Sequence, residues 1–333
     1  MYEQEYVGWK GVGLGKVEIF EVLRPGILTT IQDLGRYGFG QFGVPPSGAL
    51  DTFSYRIGNL LVGNKQEEGS LEITIGGLKL KVMREVVIAI TGGNLLPTLN
   101  EEPLDMWRTH LLVEGDVIAF KGVQAGCRAY LAISGGFVVP KIMGSKSTSL
   151  SGRFGGLEGR GLKQEDILYT SDVPASLNEL GLRFPSGWIP SLGESILLRV
   201  IPGPQDHHFT KNGLETFYSE SYQVTPQCDR MGIRLEGSKI ERRPDVEDSI
   251  ISEGLLSGAI QVPGDGKPII ILTELVTGGY PKIATVISAD LPKLAQLKPG
   301  DRVQFESISI EKAIDLLREM EEQLTGFKNF IRQ

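Results

Sequence analysis

The sequence predicts a mainly β protein built as two β-rich domains. Two observations carry this. First, 43 of the 333 residues are glycine and 18 are proline, a load that favours many turns, and so many short strands, over a helical bundle. Second, the strand-like runs fall in two blocks, separated at 171–195 by Pro, Ser and Gly with a weak apolar pattern. That composition marks a domain boundary. We assign 1–18 to a flexible extension, 19–190 to the first domain, 195–308 to the second, and 309–333 to a terminal helix.

Ordered structure is expected to begin near Ile19, where IFEVLRPG is a short apolar strand closed by a Pro-Gly turn. After Pro45-Pro46-Ser47, apolar residues at Leu50, Phe53, Ile57 and Leu60/Leu61 follow a helical period. Ser47 fits the N-cap of that helix, and Gly63-Asn64 fits its end. From Ser70 the pattern turns to strands: LEITIGGLKLKV, VVIAITGG, DVIAFKG and CRAYLAISGG, the meander of a sandwich or barrel. Residues 144–165 are rich in Gly, Ser and Arg with almost nothing to bury. They read as a long exposed loop. Arg153, Phe154 and Arg160 are anchors of the kind found at interfaces, so the loop is expected to be mobile until a partner orders it.

The second block runs from SILLRVIPGPQ through YQVT, GIRLEG, AIQVP, PIIILTE and IATVIS to DRVQFESIS. Short helices are expected near 206–219 and 290–297, the latter with Asp290 as N-cap. From Ser309 to about Leu324, Ile314, Leu317, Met320 and Leu324 share one face of an amphipathic helix.

Composition also excludes function classes. Thirty-four basic residues against 41 acidic ones give a net charge of −7, the wrong sign for a nucleic-acid partner. Cys127 and Cys228 cannot build a disulfide framework and fit a reducing compartment. The longest apolar runs, 86–90 and 269–272, fall far short of the ~20 residues of a membrane helix. With no leader pattern at the start, we expect a cytoplasmic protein with no membrane partner. His110, His207 and His208 have no spacing that completes a zinc site. The stretch 152–161 has the glycines of a phosphate loop but lacks its Gly-Lys-Ser/Thr ending. There is no Gly-x-Ser-x-Gly elbow.

Polar residues set within turn-rich apolar sequence say more. They are Thr29 to Arg36 (TTIQDLGR), Gly43 to Asp51 (GVPPSGALD), Asn59 to Asn64, Leu71-Glu72 and Pro202 to Gln205. Asp229-Arg230-Met231-Gly232 with Arg234-Leu235, Gly258 to Pro263, Thr277 to Ala284 and Ala289-Asp290 complete the set. This series, in this order, resembles the biotin-dependent carboxyltransferase family, also called allophanate hydrolase subunit 2 or KipA-like. The resemblance runs from about Phe20 to Ser307. It implies β-rich domains of cyclophilin-like barrel type and a KipI-like partner protein. Members resemble the C component of an ATP-dependent 5-oxoprolinase, working with a KipI-like B component and a lactam-utilisation (LamB/YcsF-like) A component. Others are the carboxyltransferase part of urea carboxylase, or a KipA-like regulator that antagonises a histidine-kinase inhibitor. For this chain the resemblance implies ATP used by the complex and a small amide or lactam substrate. No metal or biotin is expected on the chain itself. One stretch departs from the family pattern. Where Asp-x-Gln-Thr commonly precedes Thr-Gly-Gly-Tyr-Pro, this chain has Thr273-Glu274-Leu275-Val276. In a strand, Glu274 would face away from the side of Thr273.

Lactam or urea chemistry needs a polarised carbonyl and a held anion, supplied by backbone N–H groups and guanidinium groups. The catalytic candidates within the resembling motifs are Arg230, Arg234, Gln261, Thr277, Gly278, Gly279 and Tyr280. Arg230 and Arg234, four apart, are expected to line one pocket. Gly278-Gly279 would present N–H donors through close approach and positive φ. Tyr280 would donate its phenolic proton. The substrate-binding candidates are Gln32, Asp33, Arg36, Ser47, Asp51 and Lys282. Among these, Arg36 would clamp an anion and Lys282 would meet a phosphate.

Overall fold

The computed structural model describes residues 15–171 and 180–331. The first half is two packed sheets. One has strands in the order 167–171, 16–25, 78–82, 117–120, 97–99 and 102–103; the other runs 28–32, 70–74, 125–133, 86–94 and 109–112. Phe20, Val22, Leu80 and Ile118 of the first sheet meet Leu71, Ile73, Ile90 and Leu131 of the second in a closed apolar core. The opening strand starts at Lys16, three residues before Ile19, because Lys16 to Glu18 pair with 169–171. Residues 1–14 of the expected extension lie outside the described residues.

The second sheet is buried on both faces. Its outer face carries the helix α1 (Thr52–Leu61), whose Phe53, Ile57, Leu60 and Leu61 pack on Val87, Ala89 and Ala132. The cap of α1 is Asp51, whose Oδ1 accepts from Ser54 N at 2.9 Å. Ser47 is not the cap: it sits at φ 54°, and its buried hydroxyl makes no hydrogen bond. At the far end Gly63 N–H donates to Leu60 O and Asn64 N–H to Asn59 O, the paired bonds that close a helix through a left-handed glycine.

The second half is a closed seven-stranded barrel, ordered 195–202, 282–286, 259–261, 269–271, 232–236, 222–228 and 302–307. Closure is by parallel pairing of the first and last strands, Ser195 opposite Arg302 through Val200 opposite Ser307. Leu198, Val200, Ile233, Ile260, Ile270, Ile283 and Phe305 fill it. Helix α2 (Lys211–Ser219) covers one side, with Phe217 stacked on Phe305. A two-residue pairing, 253–254 with 277–278, lies outside the barrel ladder. The short helix α3 (Leu291–Leu294) follows Asp290, whose carboxylate does not cap it. Asp290 is instead buried against Arg199, accepting from its N, Nε and Nη2 at 2.6–2.9 Å.

The terminal helix α4 (Ile310–Phe330) begins after Ser309 as expected and runs to residue 330. It returns to the first half, where Arg56 clamps Glu321 through both terminal nitrogens at 2.5 and 2.8 Å. Leu324 and Phe327 are its fully buried residues, Phe327 lying 4.9 Å centroid to centroid from Phe184. Phe184 stands in the expected boundary segment yet is buried under α1, Trp107 and α4. Residues 172–179 of that segment lie outside the described residues.

The stretch 144–165 is not an exposed loop. Ser145, Ser147, Thr148 and Ser149 are all buried. A Cβ on Gly155, at φ 74°, would collide with Ser147 O, so glycine here permits a close backbone contact. Phe154 lies under the Arg36 guanidinium, 4.8 Å from ring centroid to Cζ, and Arg160 is clamped by Asp166 at 2.7 and 2.9 Å. Of the three expected anchors only Arg153 is exposed.

Candidate active site at the seam of the two halves

Where the sheets meet the barrel, a buried polar network joins them. Its centre is Arg230, 2% exposed, whose Nη1 is bonded to Glu72 Oε1. Its Nη2 donates to Gly48 O at 2.6 Å and lies 3.4 Å from Thr273 Oγ1. Glu72 stands on the strand 70–74, on the face opposite Leu71 and Ile73, so it points into the seam. Its Oε2 accepts from Leu50 N (2.9 Å) and Tyr130 OH (2.7 Å), and Tyr130 OH accepts from Asp51 N (2.8 Å). Burial pushes the Glu72 carboxyl up, but Arg230, Arg128 and these two donors outweigh it and hold it below the usual range. A second strut is Gln296, after α3. It donates to Asp51 Oδ2 and Arg128 O and accepts from Cys127 N and Arg128 N, all within 3.0 Å. Asp51 is held above the usual range by burial, against its bonds from Ser54 and Gln296. Burial likewise pushes the Cys127 thiol up to about 11.

Beside this network lies the turn of Gln32 to Arg36. Gln32 donates to Thr30 Oγ1 and Thr148 O and accepts from Gly48 N. Asp33 gathers Gly35 N, Ser145 Oγ, Ser147 Oγ and Lys146 N at 2.5–2.7 Å. Arg36 donates to Ser147 O and is 2% exposed; its Nη1 has no hydrogen bond. Burial lowers its pKa, against Asp33 and Glu274.

Residues 273 and 274 form a turn rather than a strand. Thr273 and Glu274 therefore face the same guanidinium. Glu274 Oε1 is 3.7 Å from Arg230 Nε, and neither atom makes a hydrogen bond. Two chambers share Met231 and Leu275 in their linings. One, of about 380 Å³, is walled by Gly43 to Pro45, Phe154 and Val276, with Glu274, Ser151 and Thr277 as its polar lining. The other, of about 520 Å³, lies at the barrel mouth between Asp229, Arg234, Gln261 and Tyr280.

The structure thus separates the candidates. Arg230 is locked in the seam, whereas Arg234 is exposed in the barrel-mouth chamber, so the two do not line one pocket. Gln261, 4% exposed, donates to Tyr280 O at 3.2 Å, and Tyr280 is 41% exposed. Gly278 and Gly279 do not adopt positive φ. Gly278 packs closely on Gln261: a Cβ there would lie 2.6 Å from Gln261 Nε2, the movable end of that side chain. Thr277 rims the smaller chamber. Lys282, expected to meet a phosphate, is buried and bonded to Glu253, which also accepts from Gln205 at 2.7 Å. Gln32, Asp33, Ser47 and Asp51 are buried scaffold around the seam and line neither chamber. Among the described residues no group of three His, Cys, Asp or Glu is placed to hold a metal. No sequence motif singles out Tyr130, Arg128 or Gln296, and Glu72 stands within a motif that does not reveal its role.

The model of the carboxyltransferase domain, subdomain A and B, matches residues 42–307. This chain belongs to that family. It is 38% identical over 298 residues to the C subunit of a 5-oxoprolinase of Escherichia coli, covering 89% of this chain and 93% of that protein. It is 36% identical over 316 residues to a urea amidolyase of Lachancea kluyveri, covering 89% of this chain but 17% of that one. Among solved structures, the Kluyveromyces lactis urea carboxylase superposes with a TM-score of 0.88 at 35% identity, over 93% of this chain and 29% of that chain. The shared fold of this carboxyltransferase-family chain is therefore the paired-sheet half, the barrel and the seam between them. No helix among the described residues is long and apolar enough to cross a membrane.

Proposed function

We propose that this chain is the C component of an ATP-dependent 5-oxoprolinase complex. The complex converts 5-oxoproline, ATP and water to glutamate, ADP and phosphate. The chain acts with a KipI-like protein and a lactam-utilisation (LamB/YcsF-like) protein in the cytoplasm, and is inactive alone. The observation that carries this reading is co-extension: the match to the E. coli protein spans 93% of its length, whereas the match to the urea amidolyase spans 17%. The geometry supports a substrate site in the barrel-mouth chamber. Arg234 and Tyr280 offer a guanidinium and a phenol to a carbonyl oxygen or anion, and the buried Gln261 braces the Tyr280 backbone. ATP is used by the complex, with no residue of this chain assigned to it. The test is ATP-dependent glutamate formation from 5-oxoproline with the cognate KipI-like and lactam-utilisation proteins. Turnover that requires this chain supports the reading; turnover that proceeds without it rejects it.

A second reading is favoured by the superposition on the urea carboxylase structure: carboxyl transfer from carboxybiotin, carried on another chain, to urea or a related amide. Incubation with carboxybiotin and amide acceptors checks it. No CO₂ transfer removes it.

A further inference from the structure

We infer that Arg234 and Gln261 form a two-point clamp in the barrel-mouth chamber, the guanidinium taking a carboxylate and the Gln261 carboxamide oxygen taking an N–H beside it. The inference rests on the lactam reading proposed above. It makes the carboxylate of 5-oxoproline, and not the ring alone, part of what is recognised.

The register of the barrel sets the clamp. Arg234 stands opposite Ile269, and Ile269 stands opposite Gln261 on the next strand. Directly paired residues of neighbouring strands share one face. Their chain neighbours Ile233, Ile270 and Ile260 fill the barrel. All three side chains therefore stand on its outer face, and all three line the chamber. With strands about 4.8 Å apart, the Cα atoms of Arg234 and Gln261 are about 10 Å apart across Ile269. Ile269 and Ile271 make the lining between them apolar.

Both polar ends are open. Arg234 is exposed, and its side chain has no hydrogen bond or ion pair among the described residues. Gln261 is 4% exposed, and its Nε2 donates to Tyr280 O at 3.2 Å. That bond fixes the amide with Oε1 as the open end, which no donor among the described residues reaches. An acceptor so nearly withdrawn from water gains most when a ligand N–H pairs it. The carboxylate of the lining, Asp229, is exposed, and its Oδ1 already accepts from Met231 N at 2.7 Å and Gly232 N at 3.2 Å. Gln227 and Tyr280 can each donate and accept, so they suit any polar ligand and do not discriminate.

A ligand that satisfies both ends carries a carboxylate next to an N–H on a small apolar frame. 5-Oxoproline does so: its carboxylate sits on the ring carbon bonded to the lactam nitrogen, and its methylenes suit Ile269 and Ile271. A guanidinium holds a carboxylate through two parallel N–H···O bonds. Urea brings N–H groups but no charge for Arg234, and a carboxylate without an N–H leaves Gln261 Oε1 unpaired.

The test is calorimetric binding to the full chain of 5-oxoproline, of 2-pyrrolidinone, which lacks the carboxylate, and of N-methyl-5-oxoproline, which lacks the N–H. Wild type is expected to bind 5-oxoproline about tenfold or more tightly than 2-pyrrolidinone, the scale of a charged hydrogen bond, and about fivefold more tightly than the N-methyl compound. Arg234→Met should abolish the first ratio and keep the second; Gln261→Met should abolish the second and keep the first. Arg234→Met alters an exposed side chain, so it reports even where Gln261→Met perturbs the fold. A wild-type chain that fails to bind 5-oxoproline or to discriminate overturns the inference. So does either ratio persisting in its own variant, or both ratios collapsing in Arg234→Met. Because the readout is binding, failure of ATP-dependent turnover leaves both ratios standing. Flat ratios with turnover intact reject only the clamp.

Discussion

Arg230 and Arg234 stand four residues apart and have opposite fates. Arg230 lies in the seam, bonded to Glu72 and Gly48 O and facing Glu274. Arg234 projects from the strand 232–236 into an open chamber beside Gln261 and Tyr280. The difference separates scaffold from site by burial and ion pairing. A charged group buried against a carboxylate within the protein holds elements together, and one that faces a cavity is available to a ligand. Charge alone does not distinguish them.

The comparison breaks most sharply at Arg230. Arg230→Ala leaves the Glu72 carboxylate buried with its main counter-charge removed, which costs about 3–5 kcal/mol. Urea unfolding measures it as a drop in midpoint. Pairing Arg230→Met with Glu72→Leu removes both charges and should recover most of that loss, as apolar replacement of a buried pair does. No recovery would mean that the seam arginine does more than pair.

The next effect is one of pH. Glu72 is held below the usual carboxylate range. It therefore contributes stability that is complete above the unfolded value of about 4.3 and is lost as pH falls from there toward the lower folded value. Wild type and Glu72→Gln should differ fully at neutral pH and converge only as pH falls from about 4.3 through the lower folded value, measured as unfolding free energy against pH. A gap independent of pH would place the contribution of Glu72 elsewhere.

Gly155→Ala sharpens the claim that 144–165 is scaffold. The new Cβ meets Ser147 O in a left-handed conformation, so about 1–3 kcal/mol of stability is expected to go. Limited proteolysis should cut the variant within this stretch and spare the wild type. The smallest effect is expected at Asp315→Asn, whose carboxylate forms an exposed pair with Arg318 on α4. Thermal unfolding should register less than about 1 kcal/mol.

Much of this was legible in the sequence. The period of Phe53, Ile57 and Leu60 located α1, and Asp51 lay where a cap belongs. Ser47 was misplaced because its left-handed backbone follows from the neighbouring turns, not from its type. The serines of 145–149 looked solvated because composition does not tell a hydroxyl facing water from one facing the Asp33 or Glu274 carboxylate. Glu72 and Arg230 sit 158 residues apart in sequence, and no local pattern pairs them. One signal was available: a glutamate in an otherwise apolar strand is accommodated only with a partner. Gln296 carried none, since a glutamine after a short helix reads as surface.

The measurement that tests the division most directly is made on Arg234→Ala in the reconstituted complex, with stability and ATP-dependent glutamate formation read from one preparation. The division predicts turnover reduced by about a hundredfold or more, with unfolding free energy within about 0.5 kcal/mol of wild type. Turnover at the wild-type rate, or turnover lost only together with the fold, would contradict it.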